Sequence, residues 1–412
     1  MPDLTRTIVP EELMRRDIRG ALLYTLSMDQ YVRGHIPMRI LHTSDWHLGM
    51  PLKLGTMIED QRYFLEQLYS IIEEYDVDAV ICAGDIYDSS VANAEAIELY
   101  SSAITKICKD LGKKMIVIAG NHDSGARLAS GRELLEMTGM FVSGKIDKEI
   151  RPVSIGNADI YPIPFFNRDE VIAFFPEQKA EINSQEAAAK VLCDHIRENM
   201  DKSRVNIVVA HAFITSAELS DSDRAAQLGQ ATSVSKDVFE GFDYVALGHI
   251  HKPQAITETI RYSGSPIKYS FGVEETQIKQ VIIYDTESKE IIPVALSMLH
   301  DRKSISGTYS EIRAMNSIEN CYLKVTVTDR IASLELLSEL REKFPGILEL
   351  YGMSYEGSGE ETSITIDELT KLDETDIMMR FLEEQYHYTP NADQIDLYKA
   401  VVESIGEEAD LG

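Results

Sequence analysis

The segment Ile40-Leu41-His42-Thr43-Ser44-Asp45-Trp46-His47-Leu48-Gly49 ends an apolar run on a carboxylate and an imidazole spaced Asp-x-His. Alternate residues at a strand end point the same way, so the spacing predicts that Asp45 and His47 aim at one point. Two such groups on one point suit a cation. Four further apolar runs end in the same chemistry. The run at 79–83 leads into Gly84-Asp85-Ile86-Tyr87-Asp88, and that at 115–119 into Gly120-Asn121-His122-Asp123. The run at 206–210 ends in His211, and that at 244–247 leads into Gly248-His249-Ile250-His251. Singly, each has a plain structural reading: a strand-end histidine is usually just hydrogen-bonded, Gly-Asp and Gly-Asn make turns, and Asp123 can cap a helix. Recurrence at five strand ends predicts one shared site instead.

Carboxylate, imidazole and amide donors without thiolate favour hard or borderline divalent ions, Mn²⁺, Fe²⁺ or Zn²⁺. About seven donors are too many for one open catalytic ion, so two are implied. A pair about 3.5 to 4 Å apart shares a bridging carboxylate, polarises a phosphoryl oxygen and offsets charge on the attacking and leaving oxygens.

Regular elements have to deliver these groups. Met38 begins the first strand, and Phe64, Leu65, Leu68, Ile71, Ile72 and Tyr75 have helical spacing over 60–75. Asn93 can cap a helix whose inner face runs Ile97, Ile104, Ile107 and Leu111. Helices alternating with buried strands define an α/β fold, and open α/β sheets place their sites beyond the carboxyl ends of the strands. The pattern changes character near residue 285, after a strand at 281–284. An alternating strand at 321–328, a helix at 333–344 and a strand at 347–355 predict a second, smaller α/β domain over 286–365. Two acidic amphipathic helices, 374–386 and 393–405, make up a helical tail over 366–412. Residues 1–37 read as an extension before the main domain of 38–285, either dispensable with Met38 as the alternative initiator or a regulatory arm.

A chain of 412 residues suits two or three domains. Its four cysteines, Cys82, Cys108, Cys193 and Cys321, are scattered without a C-x-x-C pair, which predicts core residues in the reducing cytoplasm. No apolar run approaches the roughly 18 residues that span a bilayer, so no membrane association is expected. The net charge is −28, and residues 353–412 carry sixteen acids against three bases, a net of −13. Such a tail repels phosphate backbones. Work on nucleic acid therefore requires a local basic surface, metal ions or a partner.

The five motifs, in this order, resemble the signature of the calcineurin-like metallophosphoesterases. The flanking words from Arg39 to Gly49, and Tyr262-Ser263-Gly264-Ser265-Pro266, are similar to those of bacterial nuclease subunits within that superfamily. The resemblance covers 38–285 and implies a layered α-β-β-α sandwich, with the smaller unit as a capping domain. It implies that Asp45, His47 and His251 hold one ion, that Asn121, His211 and His249 hold the other, and that Asp85 bridges them, with Mn²⁺ the expected metal. His122 would stabilise or protonate the leaving oxygen, and Asp123 would orient it. Asp88 departs from relatives with a histidine there and is left as an orienting group or helix cap. Arg127 and Arg224, the latter in a polar loop over 216–235, are phosphate-contact candidates, with surface ion pairing as the plain reading. His42, His195, His300 and His387 are read as structural.

The activity implied is a metal-dependent 3'-5' double-strand exonuclease and single-strand or hairpin endonuclease for DNA repair and recombination. Its expected partners are a coiled-coil ATPase, DNA ends and hairpins, and a second copy of the chain. The acidic tail helices would then dock on the ATPase. The alternative is a nucleotide or phosphoprotein phosphoesterase of the same superfamily.

Overall fold

The computed structural model describes residues 36–52, 55–223, 233–353, 363–365, 390, 391, 394, 395 and 398. It has two units. One runs to Met298 without Pro51–Thr56; the other comprises that segment and Leu299 onward.

The first unit contains two six-stranded sheets. In one, Arg39–Thr43, Ala79–Cys82, Lys114–Ile118 and Met140–Ser143 pair in parallel in that order. Gln280–Asp285 and Ile291–Ala295 extend it antiparallel beside Arg39–Thr43. In the other, Ala158–Ile163, Val205–His211, Tyr244–Gly248 and Ile260–Tyr262 are parallel, with short antiparallel edges at Val153–Ile155 and Gln254–Ala255. The central strands are rich in Val, Ile and Ala because both faces are covered. Ile40, Ile81, Ile116 and Ile118 of the first sheet meet Ile160, Ile207, Val209 and Tyr244 of the second in one buried cluster. Helix Gln185–Asn199 covers the second sheet's other face through Ala188, Leu192, Cys193 and Ile196. Helix Ile58–Glu74 buries Phe64, Leu65, Leu68 and Ile72, with Phe64 edge-on to Trp46 at 5.7 Å. This is the layered α/β architecture anticipated from the sequence.

Two details differ from that reading. Asn93 does cap a helix, accepting the Ala96 N–H at 2.8 Å, but Ile97 is 51% exposed and the buried face is Ala96, Leu99, Tyr100 and Ala103. A wide π-helical turn over Thr105–Asp110 brings Ile107 and Cys108 inward. That turn shifts the phase, so no single 3.6-residue period describes the stretch. The first unit also extends beyond residue 285, because Ile291–Ala295 pairs with Gln280–Asp285, Val294 opposite Val281. Val153–Ile155, Ala158–Ile163 and Gln185–Asn199 have no counterpart among the elements read from the sequence.

The second unit has a four-stranded sheet. Asp301–Gly307, Cys321–Val327 and Ile347–Tyr351 are parallel, and Ser363–Thr365 is antiparallel. Cys321–Val327 alternates buried and half-buried residues as its sequence predicts. Ser333 caps helix Leu334–Arg341, accepting from Leu336 N–H at 3.1 Å, and Leu336, Leu337 and Leu340 face an apolar core with Leu323, Val325 and Phe344. The leader to residue 35, Arg224, His387 and most of the two spans expected as tail helices lie outside the described residues. Among the described residues no helix is long and apolar enough to cross a membrane.

Candidate metal centre

Parallel pairing brings the strand ends to one edge, Thr43 opposite Cys82 and His211 opposite Gly248. Strand alternation does not aim Asp45 and His47, however. The strand stops at Thr43, and Asp45 and His47 have φ of 53° and 42°, with Asp85 at 50° and His249 at 98°. Non-glycine residues avoid this left-handed region and stay there only when neighbours hold them. Here the loops hold each other: Asp45 N–H donates to Gly84 O at 3.0 Å, His47 N–H to Asp85 O at 3.0 Å and Leu48 N–H to Ile86 O at 2.9 Å. The Asp123 carboxylate accepts the N–H groups of Ile86, Tyr87 and Gly120 at 3.1, 3.0 and 2.9 Å, clamping two loops together. At Gly120 a Cβ would lie 2.1 Å from Asp85 Oδ1, and at Gly84 2.3 Å from His211 Nδ1. Both glycines exist to let the site close.

The seven ligand candidates come together. Asp45, His47 and His251 form one group able to hold a metal ion, Asp85, His211 and His249 a second, and His47, Asp85 and His122 an overlapping third. His47 Nε2 is 3.1 Å from His251 Nε2. Asn121 Oδ1 is 2.9 Å from both His211 Nε2 and His249 Nδ1. Asp85 Oδ2 lies between the groups, 3.7 Å from His47 Nε2 and 3.4 Å from His211 Nε2. His211 Nδ1 donates to Ala83 O at 2.8 Å, which turns Nε2 toward Asn121 and Asp85.

His122 borders the group. Its N–H donates to Asp85 Oδ1 at 2.9 Å and its ring Nδ1 donates to Asp88 O at 2.7 Å, leaving Nε2 for other work. The Asp123 carboxylate accepts from main-chain N–H groups of the two loops, and the His122 ring bonds Asp88 O. The Asp88 carboxylate approaches His47 Nδ1 only to 3.7 Å. Arg127 is exposed and donates to Ser90 O at 2.5 Å. His42 is a satisfied core residue, bonded to Tyr244 Oη at 2.9 Å and Leu247 O at 3.2 Å. His195 stands against Phe175 and His300 against Tyr322.

Burial sets opposite demands here. It pushes the Asp45 carboxyl up, yet at Asp85 the same effect is outweighed by His211, which holds that carboxylate well below its usual range. Burial drives His47 well down, and burial with His211 brings His249 to about 3. At His211 burial opposes protonation but Asp85 lifts the imidazole to about 9. At His251 burial is likewise outweighed, by Glu274 and Asp223, giving about 9. Burial and then Asp85 raise Asp123 to about 6. Buried carboxylates and facing imidazole nitrogens 3.1 Å apart fit a divalent cation, which offsets the charge and occupies the facing lone pairs.

Sequence spacing missed a ring of polar groups behind His251: Ser222, Asp223, Glu274 and Lys279. Ser222 bonds Glu274 from 52 positions away, a separation that no local motif encodes.

A two-sheet α/β sandwich that gathers carboxylates and imidazoles at its strand ends is the architecture of a metal-dependent phosphoester hydrolase. Residues 38–253 match the calcineurin-like phosphoesterase family, and 299–386 match the family described as Type 5 capsule protein repressor C-terminal domain. The SbcD component of the SbcCD nuclease of Staphylococcus epidermidis is 31% identical over 84% of this chain and 92% of its own. That of Staphylococcus saprophyticus is 33% identical over 84% and 92%. The chain belongs to the calcineurin-like phosphoesterases and, within them, to the SbcD nuclease family. It is a metal-dependent phosphodiesterase.

Proposed function

We propose that the chain is the nuclease component of an SbcCD-like complex, cutting double-strand DNA ends from 3' to 5' and opening hairpins in cytoplasmic DNA repair and recombination. In this reading Asp45, His47 and His251 would hold one Mn²⁺, Asn121, His211 and His249 would hold a second, and Asp85 would serve both. The observation that carries it is the place of Asp85 Oδ2 between His47 and His211, at 3.7 and 3.4 Å. Two bound divalent ions supply an activated water and offset phosphate charge. The chain's own residues do the rest. His122, oriented by its Nδ1–H bond to Asp88 O, presents Nε2 to the leaving oxygen as a proton donor. Asp123 fixes the loops that carry Asp85 and His122, and Arg127 contacts phosphate at the rim.

An SbcC-like coiled-coil ATPase as partner resolves the acidic balance of −28, because it can enclose the DNA that this surface repels. The tail helices expected at 374–386 and 393–405 are its docking elements, and a homodimer of this chain completes the assembly. The test is Mn²⁺-dependent cleavage of a labelled hairpin duplex against a simple aryl phosphodiester. Preferential cleavage of the duplex by the complex supports the reading; preference for a nucleotide or phosphopeptide favours the alternative phosphoesterase.

A further inference from the structure

His251 is gripped at every polar handle except one. Its main-chain N–H donates to Asp223 Oδ1 at 3.0 Å. Its main-chain carbonyl accepts from Lys279 Nζ at 2.9 Å. Its Nδ1 lies 2.8 Å from Ser222 Oγ, and that hydroxyl donates onward to Glu274 Oε1. Only Nε2 is left, and it faces His47 Nε2 at 3.1 Å.

The proton positions along this chain follow by elimination. Glu274 Oε2 accepts the Tyr269 N–H at 2.7 Å and lies 3.4 Å from the Lys279 ammonium, so Glu274 is a carboxylate and can only accept. Ser220 Oγ also lies 3.1 Å from Ser222 Oγ, but the carboxylate is the stronger acceptor, so Ser222 spends its one hydrogen on Glu274. Its oxygen can then only accept from His251, and Nδ1 must be the nitrogen that keeps its hydrogen.

Glu274 and Lys279 are both fully buried, at 0% and 1% exposure. Lys279 also donates to Ser265 Oγ at 2.9 Å and Gln277 Oε1 at 3.1 Å. Burying an ion pair costs desolvation that an apolar pair would avoid. One arm of the pair, Glu274 Oε1, reaches the His251 ring through Ser222, and the other, Lys279 Nζ, holds the His251 main-chain carbonyl. A core that needed only packing would not keep this pair.

We propose that Ser222 and Glu274, backed by Lys279, are positioning residues that lock the His251 tautomer and ring so that bare Nε2 receives one of the two metal ions. The proposal rests on the reading of His251 as a ligand. It makes the two ions unequal: His251 is held by a buried carboxylate relay, whereas His211 is held through a single main-chain carbonyl, Ala83 O. Outer partners of this kind typically change metal affinity about 10- to 100-fold.

The test is Mn²⁺ binding by titration calorimetry on the full chain, with melting of the metal-free protein alongside. Ser222→Ala is expected to weaken one of the two ions about 10- to 100-fold, leave the other unchanged and leave metal-free melting close to wild type. Ser222→Thr, which keeps the hydroxyl, is expected to restore the affinity. Activity of Ser222→Ala should recover toward wild-type kcat as Mn²⁺ is raised. His251→Ala separates the two ideas. If it leaves both affinities intact, His251 is not a ligand and the underlying reading fails. If it removes one ion while Ser222→Ala binds both normally, the ligand reading stands and the relay is overturned. Failure of Ser222→Thr to rescue also overturns the relay.

Discussion

The first unit buries Asp45, Asp85, His47 and His211 at its strand ends, while the second encloses Leu323, Val325, Val327, Leu336, Leu340, Phe344 and Ile347 in an apolar core. Among the described residues, all three groups able to hold a metal lie in the first unit. Of the seven described non-glycine residues with positive φ, four belong to that centre and only Asn320 lies in the second unit. The contrast shows where folding has been compromised. Buried charge and left-handed backbone each cost free energy, and they cluster where a cation can offset them. The described core of the second unit obeys the ordinary rules.

If this division is right, damage to the two units should be separable. The largest effect is expected from His122→Asn: turnover on a hairpin duplex should fall about 10²- to 10⁴-fold, the usual worth of a proton donor, with two Mn²⁺ still bound by elemental analysis. Normal turnover would remove His122 from the chemistry. Phe344→Ala should cost the second unit about 3–5 kcal/mol in denaturant unfolding, with Mn²⁺ stoichiometry unchanged. Loss of metal in that variant would break the separation.

A smaller and pH-dependent effect is expected at His42, which burial holds near 3 against an ordinary value of 6.5 despite its bond to Leu247. Between those values the unfolded chain takes up a proton that the folded chain refuses. Stability is therefore full above pH 6.5 and falls as pH drops, by about 1.4 kcal/mol per pH unit from this group. Replacing it in His42→Gln should flatten that part of the pH profile, read as the difference between wild-type and variant unfolding curves. Least of all, Arg127→Ala should change stability by under about 1 kcal/mol, with any change in activity appearing in KM.

Much of the centre was legible in the chain because its ligands sit at the ends of strongly apolar runs, and a strand's end can be read locally. All seven ligand candidates, with His122, occupy such positions. The aim of the side chains was not legible. Asp45 and His47 look aligned by alternation on paper, but left-handed backbone and the bonds to Gly84 and Asp85 align them in the fold. The helix face after Asn93 was misjudged because the wide turn at Thr105–Asp110 breaks the period. Ser222, Glu274 and Lys279 carry no signature, since three polar residues in loops acquire meaning only when tertiary structure brings them to His251.

The central claim is a pair of ions astride Asp85, and anomalous scattering from crystals soaked in Mn²⁺ tests it most directly. Two peaks about 3.5 to 4 Å apart, one beside His47 and His251 and one beside Asn121, His211 and His249, are the predicted result. A single peak, or peaks that do not touch Asp85, would contradict it.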